Sequence, residues 1–254
     1  MKYFAEPGSL VRQIWGKADT ILFIFAGAAA EFALNKAVDW LYFTGKLPAD
    51  PIGRLFSTVV YAKKIIFSTE EEALKAIDKI TAIHAGVEKS RGMSIPDWAY
   101  RDVLYMLVHY SISAFELLER KLSDDEKESV YDIFYRVASR MGLKEIPTDY
   151  QSWLPSRESH LQTDLARSNF TDDLFAQYKN HLGNFRYRIL IESQKLVVPE
   201  RVSSLLEFRS FKPVRPLVPI YQFSKKIGLD AVVKLILLPP KYREEIQTLD
   251  IKDI

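Results

Sequence analysis

The sequence predicts an all-α protein, and three observations support this prediction. Apolar residues recur at steps of three and four, whereas the alternation typical of β-strands is scarce. Several of these stretches are bounded by residues that cap helices. Hydrophobic residues make up 48% of the 254 residues, which is enough for a continuous core. We therefore expect one domain over residues 1–254, a helical bundle with long helices first and short helices in the C-terminal part.

The first predicted helix lies in the most apolar stretch of the chain, residues 20–34. This stretch is shorter than the ~20 residues that a membrane span needs, and it contains Glu31, which would be costly in lipid. A buried core helix is the better interpretation. The preceding residues 1–15 lack the basic start and apolar run of a signal peptide. We therefore expect a cytoplasmic protein.

The next helices are predicted from their caps. Asp50 precedes Pro51, which indicates an N-cap followed by proline at the first helical position, and the helix runs to residue 66. Ser68 and Glu71 fit a capping box for a following helix. That helix places one apolar face toward the core, formed by Ala73, Ile77, Ile80, His84 and Val87.

Three further helices complete the predicted bundle. One follows Pro96 and extends to about residue 122, and its middle is apolar nearly all round, as expected of a central helix. Another begins after Ser123 and ends at Gly142. Thr171 opens a shorter one that closes at Gly183, where glycine is expected to end the helix.

The composition excludes several function classes. The chain has no cysteine, which excludes disulfides, thiolate nucleophiles, iron–sulfur clusters and cysteine zinc sites. No two glycines lie two positions apart, so a dinucleotide-binding GxGxxG loop is absent. The formal net charge is only +2 and no recognition motif is present, so we expect no nucleic-acid partner.

The C-terminal segment, residues 201–243, differs from the rest of the chain. It contains nine Lys or Arg and two acidic residues, interleaved with apolar and aromatic residues and broken by prolines. Basic charge beside apolar groups favours peripheral contact with an anionic membrane surface. The alternative is a set of short helices that pack on the domain with their basic side chains in water, and the sequence leaves both open.

Two histidines are candidates for cofactor chemistry. His84 lies on the apolar face described above, and His109 lies in the most apolar helix. Haem needs a single neutral imidazole on a buried helix that faces an apolar cavity, and either histidine is compatible with this. The competing interpretation is that both are hydrogen-bonded core residues. His160, in a polar stretch, is expected at the surface.

Acidic residues in apolar surroundings are the other candidates. Glu31, Asp39 and Glu116 fit this description, and a buried acid has a raised pKa that suits proton transfer. The sequence does not indicate that any two of them meet.

Several segments together resemble a known family. Residues 50–55 (DPIGRL), with Ser57 and Thr58, resemble a DPxGRLxRT signature. Residues 82–87 (AIHAGV) resemble its LHAxV motif, and residues 107–116 are similar to its WVH…S…YE helix. Upstream, residues 27–34 match a glycine-rich stretch loosely. The resemblance covers about residues 9–182 in the same order, and the family comprises the latex-clearing rubber oxygenases and the mpaB-type oxygenases of mycophenolic acid synthesis.

This resemblance implies an all-α fold with a buried haem b pocket and oxygenase chemistry on isoprenoid chains. It assigns the proximal iron ligand to His84 and places Arg54 and Thr58 at the haem pocket. Arg54 could pair with a haem propionate or polarise bound oxygen. A distal base of the family does not align securely, and Glu31 and Asp39 are the candidates.

The sequence also departs from the family. Rubber oxygenases carry a lysine at the position of Ser57, where it can ligate the distal side of the iron, and serine cannot do so. The arginine after the HAxV motif is Glu88 here. We therefore expect a haem-dependent oxygenase that takes O2 and a small hydrophobic substrate. The alternative is a non-enzymatic haem- or lipid-binding helical protein. Oligomeric state is not predicted.

Overall fold

The computed structural model of the protein describes residues 2–45, 49–208 and 216–226. These residues form eleven helices and no β-strand, which confirms the predicted all-α fold. The helices are α1 (Leu10–Trp15), α2 (Ala18–Phe32), α3 (Asp39–Phe43), α4 (Pro51–Ile66), α5 (Glu70–Arg91), α6 (Asp97–Leu118), α7 (Asp124–Met141), α8 (Tyr150–Thr163), α9 (Asn169–Val197), α10 (Glu200–Leu205) and α11 (Leu217–Lys226).

Helices α2 and α6 form the centre of the bundle and pack extensively against each other. As predicted, the apolar stretch after residue 20 is a core helix, with Ile21, Ile24 and Ala30 almost fully buried. A Cβ atom on Gly27 would lie 2.2 Å from the ring of Tyr110. The absence of a side chain at Gly27 therefore lets the two helices approach closely.

Two helix starts agree with the sequence. The Asp50 carboxylate accepts a hydrogen bond from the Gly53 backbone N–H at 3.0 Å and caps α4. Ser123 and Glu126 form a reciprocal capping box at the start of α7. Gly142, at φ 75°, ends α7 in the left-handed conformation, which glycine adopts at little cost.

The start of α5 differs from the prediction by one residue. The capping box is formed by Thr69 and Glu72, and not by Ser68 and Glu71. The backbone N–H of Phe4 donates to the carbonyl of Ser68, which keeps this part of the chain extended. Contact with the N-terminal residues therefore moves the helix start beyond the first local candidate.

Helix α9 is longer than predicted. Ser168 is its N-cap, and Thr171 is the third helical residue, whose hydroxyl donates to the carbonyl of Ala33 at 2.7 Å. The chain leaves helical geometry at Gly183 (φ 71°, ψ 166°), where the sequence predicts an end, and then resumes the helix as far as Val197. Gly183 is therefore a kink, and the second half of α9 takes a new direction.

The described parts of the C-terminal segment are short helices that pack on the domain. Val202 of α10 is fully buried. On α11, the Tyr221 hydroxyl donates to Asp19 at 3.2 Å and the Gln222 amide donates to the carbonyl of Leu117 at 2.9 Å. The rest of residues 201–243, namely 209–215 and 227–243, lies outside the described residues. Within the described part of the chain, no helix combines the length and apolar character needed to cross a membrane.

Candidate functional site

His84 lies on α5 where this helix packs against α4. Its Nδ1 atom is buried and has no hydrogen-bond partner among the described residues. Its ring lies beside that of Tyr100, with the centroids 5.2 Å apart. Burial and the nearby Arg54 guanidinium lower the pKa of His84, against a smaller opposing effect of Glu88. His84 is therefore a neutral imidazole at pH 7.

Arg54 and Thr58 lie one turn apart on the face of α4 that approaches His84. Arg54 Nη1 donates to the Ser57 hydroxyl at 2.8 Å and to the Thr58 hydroxyl at 3.4 Å. Burial lowers the pKa of Arg54, because desolvation disfavours the cation. The structure thus brings three of the predicted site residues, Arg54, Thr58 and His84, to one contact between α4 and α5, which we call the α4–α5 cluster.

Two groups missed in the sequence complete this cluster. Glu88 Oε1 accepts hydrogen bonds from the backbone N–H of Ile95 at 2.8 Å and from the Tyr100 hydroxyl at 3.3 Å. Glu88 therefore holds Tyr100 against the His84 ring. The one-turn spacing of His84 and Glu88 could have indicated their proximity, but Tyr100 comes from α6 and has no local signal.

Asp39 is the first residue of α3 and contacts the C-terminal end of α5. Its carboxylate accepts a hydrogen bond from Arg91 Nη2 at 2.6 Å, and the Arg91 guanidinium stacks on the Trp40 ring at 4.0 Å. Arg91 follows His84 by seven residues, which is about two helical turns on the same face. Asp39 is therefore on the same side of α5 as His84 but at a different level of the helix.

Glu31 belongs to a different cluster, in the core. Arg157 forms two hydrogen bonds with its carboxylate, each 2.5 Å long. The Tyr110 hydroxyl donates to Glu31 Oε2 at 2.8 Å. Both carboxylate oxygens are thus engaged in a buried ion pair, which we call the core ion pair. In this arrangement Glu31 has no oxygen free to accept a proton from a substrate.

His109 lies next to the core ion pair. It is part-buried, and its Nε2 atom lies 3.3 Å from the Ser113 hydroxyl. The ring also forms a hydrogen bond with the backbone of Val197. Burial and the positive charge of Arg157 lower the pKa of His109 to about 3. These contacts describe a neutral core histidine, and the two histidines predicted for the cofactor lie in different clusters.

The prediction for His160 is wrong. Its side chain is only 12% exposed, and Nδ1 lies 2.5 Å from Asp102 Oδ1 and 2.7 Å from Asp164 Oδ2. Asn35 Nδ2 donates to the other oxygen of Asp102 at 2.5 Å. The polar residues around His160 suggested the surface, but Asp102 reaches it from α6. The side chains of Asp102, His160 and Asp164 could together hold a metal ion, although each already has a partner within the protein.

An apolar cavity of about 510 Å³ lies among α2, α4, α9 and α11. Leu55 and Val59 line it from α4, and Tyr178 and Leu182 line it from α9. Leu55 and Val59 directly follow Arg54 and Thr58 in the chain, so they are turned by about 100° around the helix. The cavity and the α4–α5 cluster therefore adjoin different faces of α4, and His84 does not line the cavity.

The α4–α5 cluster fits the demands of haem binding. A histidine that would bind haem iron must be neutral and must offer a ring nitrogen without another partner. His84 is neutral, and its buried Nδ1 lacks any partner among the described residues. Arg54, which is half-buried beside His84, has no carboxylate partner among the described residues and could pair with a haem propionate.

Comparison with known proteins gives one match. A family model described as "ER-bound oxygenase mpaB/B'/Rubber oxygenase, catalytic domain" matches residues 13–247. No curated protein and no solved structure matches the chain. The matched range extends beyond the motifs into the C-terminal segment. The chain therefore belongs to the mpaB/rubber oxygenase catalytic-domain family.

Proposed function

We propose that the protein is a haem b-dependent oxygenase that uses O2 to attack a double bond of a hydrophobic, isoprenoid or lipid-like substrate. Membership of an oxygenase family supports the reaction class. The observation that carries the proposal is the pairing of a buried, unpartnered His84 nitrogen with a neighbouring Arg54. A core histidine with a purely structural role is expected to have its ring nitrogens hydrogen-bonded.

In this proposal, the residues of the α4–α5 cluster have distinct roles. His84 holds the iron, and its depressed pKa keeps the imidazole neutral and able to ligate. Arg54 binds a propionate or the oxygen molecule, and Thr58 orients the Arg54 guanidinium. When bound, haem supplies the activation of O2. Ser57 stands where rubber oxygenases carry a lysine, and its hydroxyl would not supply a nitrogen ligand to the iron.

Of the two acidic candidates, we favour Asp39 as the proton acceptor. Both oxygens of Glu31 are engaged by Arg157 and Tyr110. Asp39 is bound by Arg91 on the same side of α5 as His84. Among the hydrogen bonds of the described residues, Arg91 engages only the Oδ2 atom of Asp39, so the Oδ1 atom can accept a proton.

A non-enzymatic haem- or lipid-binding protein is the second candidate. The apolar cavity favours it, because an apolar cavity of this size can bind a lipid without any chemistry. Substrate-dependent O2 uptake by the haem-loaded protein separates the two functions. An oxygenase consumes O2 when an unsaturated chain is added, and a carrier does not.

Replacing His84 tests the cofactor. We expect the purified or haem-reconstituted protein to show a Soret band, and His84→Ala to lose haem while the helical circular dichroism is retained, because the side chain is only half-buried. His181→Ala is the matched control, since His181 is partly exposed and lies near Asp50, and it should retain haem. Loss of haem from His109→Ala, with His84→Ala unchanged, would transfer the ligand to His109. A wild-type protein that takes up no haem contradicts the proposal.

A further inference from the structure

The apolar cavity has the properties of a ligand site that is separate from the α4–α5 cluster. Its volume of about 510 Å³ is within the range of ~300–1,000 Å³ typical of small-molecule sites. Phe185 lines it and is 63% exposed, so the cavity reaches the protein surface. The kink at Gly183 turns the second half of α9 so that residues 185–196 contribute to the wall.

Four charged residues line this cavity, and they differ in their pairing. Asp19 accepts hydrogen bonds from the Thr20 backbone N–H at 2.8 Å and from Tyr221 at 3.2 Å. Glu192 Oε1 pairs with Lys195 at 2.6 Å, although its Oε2 has no partner in the described part of the chain. Both acids therefore have a bonded partner within the protein.

The two basic residues of the cavity differ from the acids, because they have no ion-pair partner among the described residues. Arg186 and Arg188 line it from α9, and neither takes part in an ion pair with the residues that the structure describes. Arg186 Nε is buried and lacks any hydrogen-bond partner among them. An unpaired buried donor on a guanidinium is unfavourable, and a carboxylate or phosphate would satisfy it with two parallel hydrogen bonds.

We propose that the cavity binds an anionic amphiphile, with the apolar chain among Phe25, Leu55 and Leu182 and the carboxylate or phosphate head group on Arg186. Arg188, which is exposed, adds positive charge near the head group. The apolar wall excludes a fully polar ligand, and the unpaired arginines favour an anion over a neutral lipid. The proposal does not depend on haem, because His84, Arg54 and Thr58 do not line the cavity.

Head-group chemistry tests this proposal. Isothermal titration of the full chain uses four probes with one chain length, below their micelle concentrations: dodecanoate, dodecyl phosphate, dodecanol and dodecyltrimethylammonium. We expect dodecanoate or dodecyl phosphate to bind about tenfold more tightly than dodecanol, because a charge-assisted hydrogen bond contributes about one decade of affinity. The cationic probe should bind most weakly. Comparison of dodecanoate with dodecyl phosphate distinguishes a fatty acid from a phosphorylated chain.

Variants locate the site. Arg186→Gln should lower the affinity for the better anionic probe about tenfold, to that of dodecanol, and leave dodecanol unchanged. Lys179→Gln is the matched control, because Lys179 is an exposed cation on the same helix and does not line the cavity. Ser193→Trp should fill the cavity and abolish binding of all four probes, with circular dichroism as the check of folding.

Three results would overturn the proposal. Equal affinity for dodecanol and the anionic probes would remove the role of the arginines. Undiminished binding to Ser193→Trp would place the ligand elsewhere. Absence of binding by any probe to the wild-type chain would mean that the cavity is not a ligand site. If Arg186→Gln does not fold, the affinity of Arg188→Gln for the anionic probe is measured instead, and a smaller loss of affinity is expected.

Discussion

The core ion pair and the α4–α5 cluster each place an arginine in the helical bundle, but the two arginines meet opposite surroundings. Arg157 binds both oxygens of Glu31, and Tyr110 adds a third hydrogen bond to that carboxylate. Among the described residues, Arg54 donates hydrogen bonds to the hydroxyls of Ser57 and Thr58 and has no carboxylate partner, and the Nδ1 atom of the neighbouring His84 has no hydrogen-bond partner. In the core ion pair the positive and negative charges are paired with each other, whereas no carboxylate among the described residues pairs with Arg54.

This difference separates a structural role from a binding role. A buried carboxylate with a bidentate arginine leaves no strong acceptor for a ligand, and removing either partner leaves an uncompensated charge. Arg54, which has no carboxylate partner among the described residues, can bind an anion. The neutral imidazole of His84 beside it can bind a metal ion. We therefore expect substitutions in the core ion pair to affect folding, and substitutions in the α4–α5 cluster to affect binding.

The largest expected effect is that of Arg157→Met. It leaves Glu31 buried without its cation, which should lower the free energy of unfolding by about 3–5 kcal/mol. Urea denaturation measures this loss. Arg140→Met is the matched control, since Arg140 forms a similar two-bond pair with Asp78 at the exposed surface, and its loss should be much smaller. Equal losses in the two variants would contradict the structural role of the core ion pair.

Gly27→Ala should have the next largest effect. Its Cβ atom would lie 2.2 Å from the Tyr110 ring, so Tyr110 must move away from Glu31 or α2 must separate from α6. Overpacking of this kind lowers the free energy of unfolding by about 1–3 kcal/mol, measured by thermal or urea unfolding.

Gly86→Ala is its control, because a Cβ atom there has nothing within 4 Å. It lies in the exposed middle of α5, where alanine is favoured over glycine by about 0.5–1 kcal/mol. A stabilised Gly86→Ala and a destabilised Gly27→Ala are expected. Similar effects at both positions would show that the approach of α2 to α6 is not tightly constrained.

The smallest effect is expected for His109, whose contribution to the free energy of unfolding depends on pH. Its folded-state pKa of about 3 lies below the usual value, so the unfolded chain binds the proton more tightly. The contribution of neutral His109 to the free energy of unfolding should be complete above about pH 6.5. It should fall as the pH is lowered toward 3, by about 1.4 kcal/mol for the first full pH unit. Urea denaturation at pH 7.5 and 5.5 measures this, and His109→Gln should reduce the difference. An unchanged pH dependence in His109→Gln would mean that the imidazole is not held neutral.

Several features of the fold were predictable because they depend on residues close in the chain. The caps at Asp50 and Ser123 each use a hydrogen bond that spans three residues. Arg54 and Thr58 share a face because they are four residues apart on one helix. The placement of His84 on the buried side of α5 follows from periodicity alone. For these features, the local pattern and the final structure agree.

Other features required the packing of distant segments. Thr69 replaced Ser68 as the cap of α5 because the N-terminal residues bind the backbone there. His160 became part-buried because Asp102, 58 positions earlier, reaches it from another helix. Neither outcome has a signal in the neighbouring residues, since each depends on a surface that another element supplies.

The sequence by itself determined the all-α class, the helix that carries His84 and the one that carries Arg54, because periodicity and caps act over a few residues. Only the tertiary structure decided that Glu31 is neutralised by Arg157, 126 positions away, and that His109 lies beside this pair. It also placed the apolar cavity against a face of α4 other than the one that carries Arg54 and Thr58. Charge pairing and cavity shape depend on which helix faces meet, and a helical pattern specifies an apolar face without specifying the helix that covers it.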